Sequence, residues 1–173
     1  MNSKKSPKIL FFLGEIYEDL ELWYPYFRYQ EAGCECVIAA EEMKTFRGKN
    51  GYPCDPDILL RDVVKEEYDA LLIPGGFMPD KLRRNSLVLQ LTRWFDETKK
   101  PIGMICHAGW IPVSAGILRG RKVTSTPGIK DDLINAGAEW LDQPVVIDGN
   151  LISARRPPDI PAWGRALIEN LPS

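Results

Sequence analysis

Cys106 stands in the run GMICHAGW at 103–110 and is followed directly by His107, the only histidine of the chain. A thiol and an imidazole together supply a nucleophile and a base for attack on a carbonyl carbon. Adjacent side chains usually point in different directions, so the pairing depends on how the chain turns. The residues before Cys106 read as a strand and those after it as a helix, a strand-to-helix turn that projects one side chain upward. Ala108 and Gly109 are the small neighbours such a turn needs. Met104 stands where G-x-S-x-G hydrolases have glycine, so the elbow pattern is matched in part. Unpaired N–H groups at a helix start are expected to lower the thiol's pKa. The plain alternative is a buried, inert cysteine. The His107 N–H is poised for an oxyanion hole whatever its ring does, and the ring has two open roles, as base or as crevice wall.

Two other stretches carry suitable groups. In PGG at 74–76, glycines after a strand can adopt positive φ and expose N–H groups, and with the N–H after a nucleophile these form an oxyanion hole. An ordinary tight turn has the same sequence. The stretch EIYEDLE holds Glu15, Glu18, Asp19 and Glu21. Most of these read as first-turn acids that complement a helix dipole. A glutamate held against a thiolate would behave otherwise: two close negative charges resist joint ionisation, so its pKa should rise and it could pass protons.

The elements that must position these groups follow from the hydrophobic pattern. KILFFL (8–13), CVIAA (36–40), ALLIP (70–74) and PIGMIC (101–106) read as buried parallel strands. Helical spacing covers 19–32, with Leu20, Trp23, Tyr24 and Phe27 on one face, and 86–99, with Leu87, Leu91, Trp94 and Phe95. FRGKNGYPCDPD (46–57) suggests a hairpin or loop excursion. After Cys106 the pattern predicts a helix to about Gly116, a strand KVTS, a helix over 130–137, strands PVVID and LISA, and a closing helix from Pro161. The alternation predicts one α/β sandwich over 1–173 with a mainly parallel sheet. Ligands in such folds bind beyond the carboxyl ends of the strands, where GEIYED, PGG and CHAG fall.

Composition narrows the classes. The 173 residues are 45% hydrophobic and 27% charged with a net charge of −2, as expected of a globular protein. Scattered Lys and Arg argue against a nucleic-acid partner, and KLRR at 81–84 reads as a solvated helix face. The start MNSKKSPKILFFLGEI carries positive charge, but its apolar run at 9–13 is too short for a signal peptide. No segment has the roughly 20 apolar residues of a membrane span. A cytoplasmic location with no membrane partner is the expectation. Cys34, Cys36, Cys54 and Cys106 match no zinc spacing, so no metal and no cofactor are expected, and Cys34 and Cys36 read as packing residues.

The ordered stretches EDLELWYPYFRYQEAG, YDALLIPGGFMPDKLRR, MICHAGWIPVSAGILRGRKVTS, GIKDDLINAGAEW and PVVIDGNLISARRPPDIPAW resemble the ThiJ/PfpI family, and within it the PfpI intracellular-protease branch, over roughly 8–170. The resemblance implies a flavodoxin-like three-layer sandwich related to class I glutamine amidotransferases. It implies Cys106 as elbow nucleophile, Glu18 as the carboxyl bonded to it, and Gly75 and Gly76 near the oxyanion site. It also implies His107 as the histidine after the cysteine, and Asp80 as an acid reaching the histidine of a neighbouring subunit in a homo-oligomer. CHAGW replaces the commoner Cys-His-Gly-Pro and brings Trp110 close to the site. Asn50 stands where such chains often have histidine, Asp80 is one methylene shorter than the usual glutamate, and SARRPPD keeps the family segment through Arg155, Pro157 and Asp159.

The leading expectation is a cysteine hydrolase of the protease or amidase type acting on small peptides or amides. The alternative is a glyoxalase III or deglycase-type enzyme, in which Cys106 adds to an aldehyde such as methylglyoxal and Glu18 moves a proton between adjacent carbons. A further alternative is a non-enzymatic oxidative-stress sensor or chaperone that oxidises Cys106.

Overall fold

The computed structural model describes residues 6–172, so the start of the chain at 1–5, part of the stretch weighed as a signal peptide, lies outside them. In chain order the first half contains β1 (Lys8–Phe12), α1 (Asp19–Glu31), β2 (Glu35–Ala40), β3 (Phe46–Arg47), β4 (Pro53–Cys54), β5 (Ile58–Leu59), β6 (Ala70–Ile73), α2 (Met78–Leu82) and α3 (Ser86–Glu97). The second half contains β7 (Ile102–Ile105), α4 (Trp110–Ala115), β8 (Lys122–Val123), α5 (Lys130–Asn135), β9 (Glu139–Trp140), β10 (Val145–Asp148), β11 (Leu151–Ala154) and α6 (Ile160–Glu169).

Seven strands form the central sheet in the order β10-β11-β7-β6-β1-β2-β5. All neighbours are parallel except β10, which pairs antiparallel with β11. Every residue of β6, β7 and β11 is buried, because helices cover both faces. The α1 and α6 helices pack together on one side, and α3, α4, α2 and α5 form the other layer. This is the three-layer α/β sandwich with a mainly parallel sheet that the pattern predicts. Since β1, β6 and β7 are adjacent, their carboxyl ends deliver the segments after Phe12, Ile73 and Ile105 to one place.

The 46–57 excursion is the β3–β4 hairpin. The KVTS strand shortens to β8 and pairs with β9 in a separate two-stranded sheet. Two faces differ from expectation. On α1 the residues Leu20, Tyr24 and Phe27 are exposed, while Leu22, Pro25 and Tyr29 are buried. The stripe is apolar at helical spacing, but the sheet takes the opposite side. In KLRR, Leu82 is buried and Arg83 lies over the Trp110 ring while its Nε donates to Ser114 Oγ at 2.8 Å, so only Lys81 and Arg84 are solvated. Among the described residues no helix is long and apolar enough to cross a membrane.

Candidate active site

Cys106 is the first residue after β7, and its φ of +60° places a non-glycine residue in the left-handed region. A tight 3-10 turn over Cys106–Gly109 then leads into α4. This turn rotates the chain so that neighbouring side chains no longer oppose each other. His107 Nδ1 comes within 3.2 Å of Cys106 Sγ. The His107 ring lies 5.2 Å from the Trp110 ring, whose Nε1 donates to Asp132 Oδ2 at 3.0 Å.

The second strand end supplies the wall facing the sulfur. Gly76 has φ +82°, and its N–H and that of His107 both face Sγ. The Gly75 N–H is not available there, because it donates to Glu21 Oε2 at 2.8 Å. A Cβ on Gly75 would sit 2.5 Å from that oxygen and 2.9 Å from Cys106 Cβ, so only glycine lets the three chains meet. The N–H groups facing the sulfur are therefore those of Gly76 and His107, while the Gly75 N–H is taken up by Glu21.

The third strand end corrects the choice of glutamate. Glu18 is the N-cap of α1: its Oε2 accepts from the Glu21 N–H at 2.9 Å, and its own N–H donates to the Gly75 carbonyl at 3.1 Å. A side chain folded back onto its helix's first turn is spent there. Glu21, three residues on, is fully buried and points to Gly75 and Cys106. Its Oε1 is buried and, among the described residues, has no hydrogen-bond partner. The spacing of a cap and a glutamate three residues later, as in a capping box, was the signal available in the sequence. The turn ahead of the helix is strained: Ile16, β-branched, has φ +59° and is held by N–H donation to Arg47 O at 3.0 Å and acceptance from Phe77 N–H at 2.9 Å.

Burial pushes the Glu21 carboxyl up to about 8, and the nearby Glu18 charge adds to this. At neutral pH it therefore holds a proton. The thiol departs from expectation. Burial first, and the Glu21 charge second, push Cys106 up to about 12, against the pull of the His107 and Gly76 N–H groups. A short 3-10 turn and a six-residue helix supply too little dipole to offset desolvation. Near neutrality the carboxyl and the thiol therefore both hold protons, and ionisation of Glu21, the weaker holder, leaves one proton to be shared between them. His107 is lowered by burial and then by the charge of Lys49, so near neutrality its ring is uncharged and able to accept a proton.

Other expected residues lie apart. Asp80 Oδ2 accepts from Arg84 Nη2 at 2.6 Å on the half-exposed side of α2. Asn50 sits in the hairpin tip, where its N–H and Nδ2 both donate to Asp19 Oδ2. Burial pushes Cys36 and Cys54 up to about 12, which leaves them packing thiols, and Cys34 is raised for the same reason. Among the described residues no three His, Cys, Asp or Glu side chains are grouped to hold a metal ion. Two open cavities, of about 720 and 630 Å3, are lined by Lys100, Arg121 and Asp148 and by Trp23, Phe27 and Tyr52. Neither contains Cys106.

The sequence pattern of the DJ-1/PfpI family matches residues 7–170. The chain is 48% identical over 164 residues to a Pyrococcus horikoshii protein named Deglycase PH1704, covering 95% of this chain and 99% of that one. It is 38% identical to Bacillus subtilis YraA, named as a candidate cysteine protease, with 96% of this chain and 99% of that protein covered. Among solved structures, a two-domain protein from Anabaena variabilis with DJ-1/ThiJ/PfpI-like and ferritin-like domains superposes with a TM-score of 0.93 at 32% identity. That match covers 95% of this chain and about half (48%) of the Anabaena protein.

Proposed function

The chain belongs to the DJ-1/PfpI family, and from that premise we propose that it is a deglycase-type enzyme using Cys106 and Glu21 on reactive 2-oxoaldehydes or their amine adducts. The observation that carries the proposal is the buried Glu21 carboxyl, pushed up to about 8 and turned toward Cys106. Such a group can give and take a proton near neutral pH.

The chemistry balances within the substrate. Glu21 in its ionised form takes the thiol proton as the sulfur bonds to the aldehyde carbon of methylglyoxal and passes it to the carbonyl oxygen, giving a hemithioacetal and leaving the carboxylate free again. From an amine adduct the same bond forms as the amine leaves. Glu21 as carboxylate takes the proton from that carbon and returns one to the adjacent carbon, while the hydroxyl proton passes to the neighbouring carbonyl oxygen. The first carbon is oxidised as the second is reduced, giving a thioester of lactate. Water cleaves the thioester, releasing lactate and restoring the thiol. The N–H groups of Gly76 and His107 hold negative charge on sulfur as it develops.

The 3.2 Å contact between Sγ and His107 Nδ1 favours a second reading, the cysteine hydrolase, in which His107 protonates a leaving amine. That reading needs an acid to orient the imidazole, and Asp80 is engaged with Arg84 in its own chain. A partner subunit would have to supply it; the exposed stripe of Leu20, Tyr24 and Phe27 supports a homo-oligomer. A thiol pushed up to about 12 weighs against the oxidation-sensor reading, since the thiolate is the form that oxidants attack.

Methylglyoxal and a panel of amide substrates, assayed with Cys106→Ser, Glu21→Gln and His107→Ala, separate the readings. Glu21→Gln should lower methylglyoxal turnover by about 10²-fold or more, the scale of general acid–base catalysis, and His107→Ala by much less. Turnover that survives Glu21→Gln but vanishes with His107→Ala refutes the proposal and favours the hydrolase.

A further inference from the structure

Lys49 is a cation beside the site that the reaction above does not use. It lies in the tip of the β3–β4 hairpin, and its N–H donates to the Tyr17 carbonyl at 2.8 Å. Tyr17 in turn forms an antiparallel bridge with Gly76, whose N–H faces the sulfur. The Lys49 main chain is thus two main-chain contacts from Gly76, whose N–H faces Cys106 Sγ.

The hairpin tip is fixed rather than free to swing. The buried Asp19 carboxylate accepts from the Asn50 N–H at 2.9 Å, Asn50 Nδ2 at 3.1 Å and the Tyr52 N–H at 3.0 Å. The Gly48 N–H closes the tip on Tyr52 O at 2.9 Å. A Cβ on Gly48 would collide with the Asp19 carboxylate, so the close seating requires glycine.

The nearby acids make other bonds and form no ion pair with this lysine among the described residues. Asp19 is used by the hairpin, Glu18 caps α1, and Glu21 binds Gly75. Lys49 is exposed, and among the described residues it takes part in none of the ion pairs within 4 Å. Its charge is nonetheless felt at both Glu21 and His107, the two side chains beside Cys106.

We propose that Lys49 is an anion-recognition point at the mouth of the Cys106 site and selects 2-oxoaldehydes that carry a carboxylate tail. The selection for such substrates rests on the deglycase-type reading; anion recognition at Cys106 does not. For 4,5-dioxopentanoate the same internal proton transfer adds one water and gives 2-hydroxyglutarate. The uncharged analogue 2-oxopentanal gives 2-hydroxypentanoate.

Two measurements test it. The first is alkylation of Cys106 by iodoacetate and by iodoacetamide, followed by mass spectrometry of the Cys106 peptide, which needs no turnover. Lys49→Met should lower the iodoacetate-to-iodoacetamide rate ratio about fivefold, the scale of one screened charge pair, and Lys49→Arg should restore it. The second is kcat/KM on the two aldehydes, where the charged-to-neutral ratio should fall by a similar factor, through KM. An alkylation ratio unchanged in Lys49→Met overturns the inference, and so does an equal loss for both reagents, which would mean Lys49 acts only on the reactivity of the thiol. A ratio that falls while neither aldehyde is turned over leaves the anion site standing and refutes the deglycase-type reading.

Discussion

Replacing Glu21 with Gln tests the proton-holding carboxyl through stability rather than turnover. Glutamine keeps an oxygen to accept the Gly75 N–H, now a 2.8 Å bond, and removes the ionisation. In the folded chain burial raises Glu21 from the ordinary 4.5 to about 8. The folded state therefore binds this proton more tightly than the unfolded state. Stability from that difference is fully present below pH 4.5 and is lost as pH climbs toward 8. At pH 7 the unfolded carboxyl has ionised while the folded one has not. About 2.5 pH units at roughly 1.4 kcal/mol each gives a cost on the order of 3 kcal/mol to the wild type. Glutamine carries no such cost, so the stability difference, Glu21→Gln minus wild type, should grow by about 3 kcal/mol between pH 4 and pH 7. In thermal terms that is roughly 6–12 °C for a chain of this size. Any fixed penalty from the buried amide shifts both ends equally and drops out. Urea unfolding of both proteins at pH 4, 5.5, 7 and 8 measures the trend. A difference that stays flat across that range would show that Glu21 is not held protonated, and the proton-sharing argument with Cys106 would fall.

Two further substitutions probe how closely the site is packed and what the core tolerates. Gly75→Ala puts a methyl group 2.5 Å from Glu21 Oε2 and 2.9 Å from Cys106 Cβ. It should cost about 2–3 kcal/mol and most of the methylglyoxal turnover, and unaltered turnover would contradict the packing. Tyr29 is buried, and among the described residues its hydroxyl has no hydrogen-bond partner, so Tyr29→Phe should stabilise by about 1 kcal/mol in the same unfolding assay. A loss of stability there would mean the hydroxyl has a partner.

The strands and helices were legible because their signals are local. KILFF, ALLI and IGMI are short apolar runs bounded by Pro, Gly and charge, and each became a buried strand. Asn85 before the 86–99 pattern is an N-cap whose side chain accepts from the N–H groups of Leu87 and Val88. The face of α1 was less legible. Both of its sides carry apolar residues, and spacing alone does not say that Leu22, Pro25 and Tyr29 meet the sheet while Leu20, Tyr24 and Phe27 stay outside.

By itself the sequence determined an alternating α/β chain, three polar strand ends, and Cys106 with His107 at one of them. Those features are written in residue type and period. Only the tertiary structure decided that the carboxyl at the thiol belongs to Glu21 and not Glu18. That choice depends on which residue caps α1 and which is one turn in, and on a Gly75 N–H that lies 54 residues away. The left-handed turn at Cys106, which brings His107 Nδ1 to 3.2 Å, and the burial that raises the thiol likewise arise from the packed neighbours. Lys49 meets the Tyr17 carbonyl, next to the Gly76 bridge, in a hairpin tip that Asp19 pins from a distant segment. Proton affinity and charge at a site are set by what surrounds each group, and that surrounding is assembled from segments far apart in the chain.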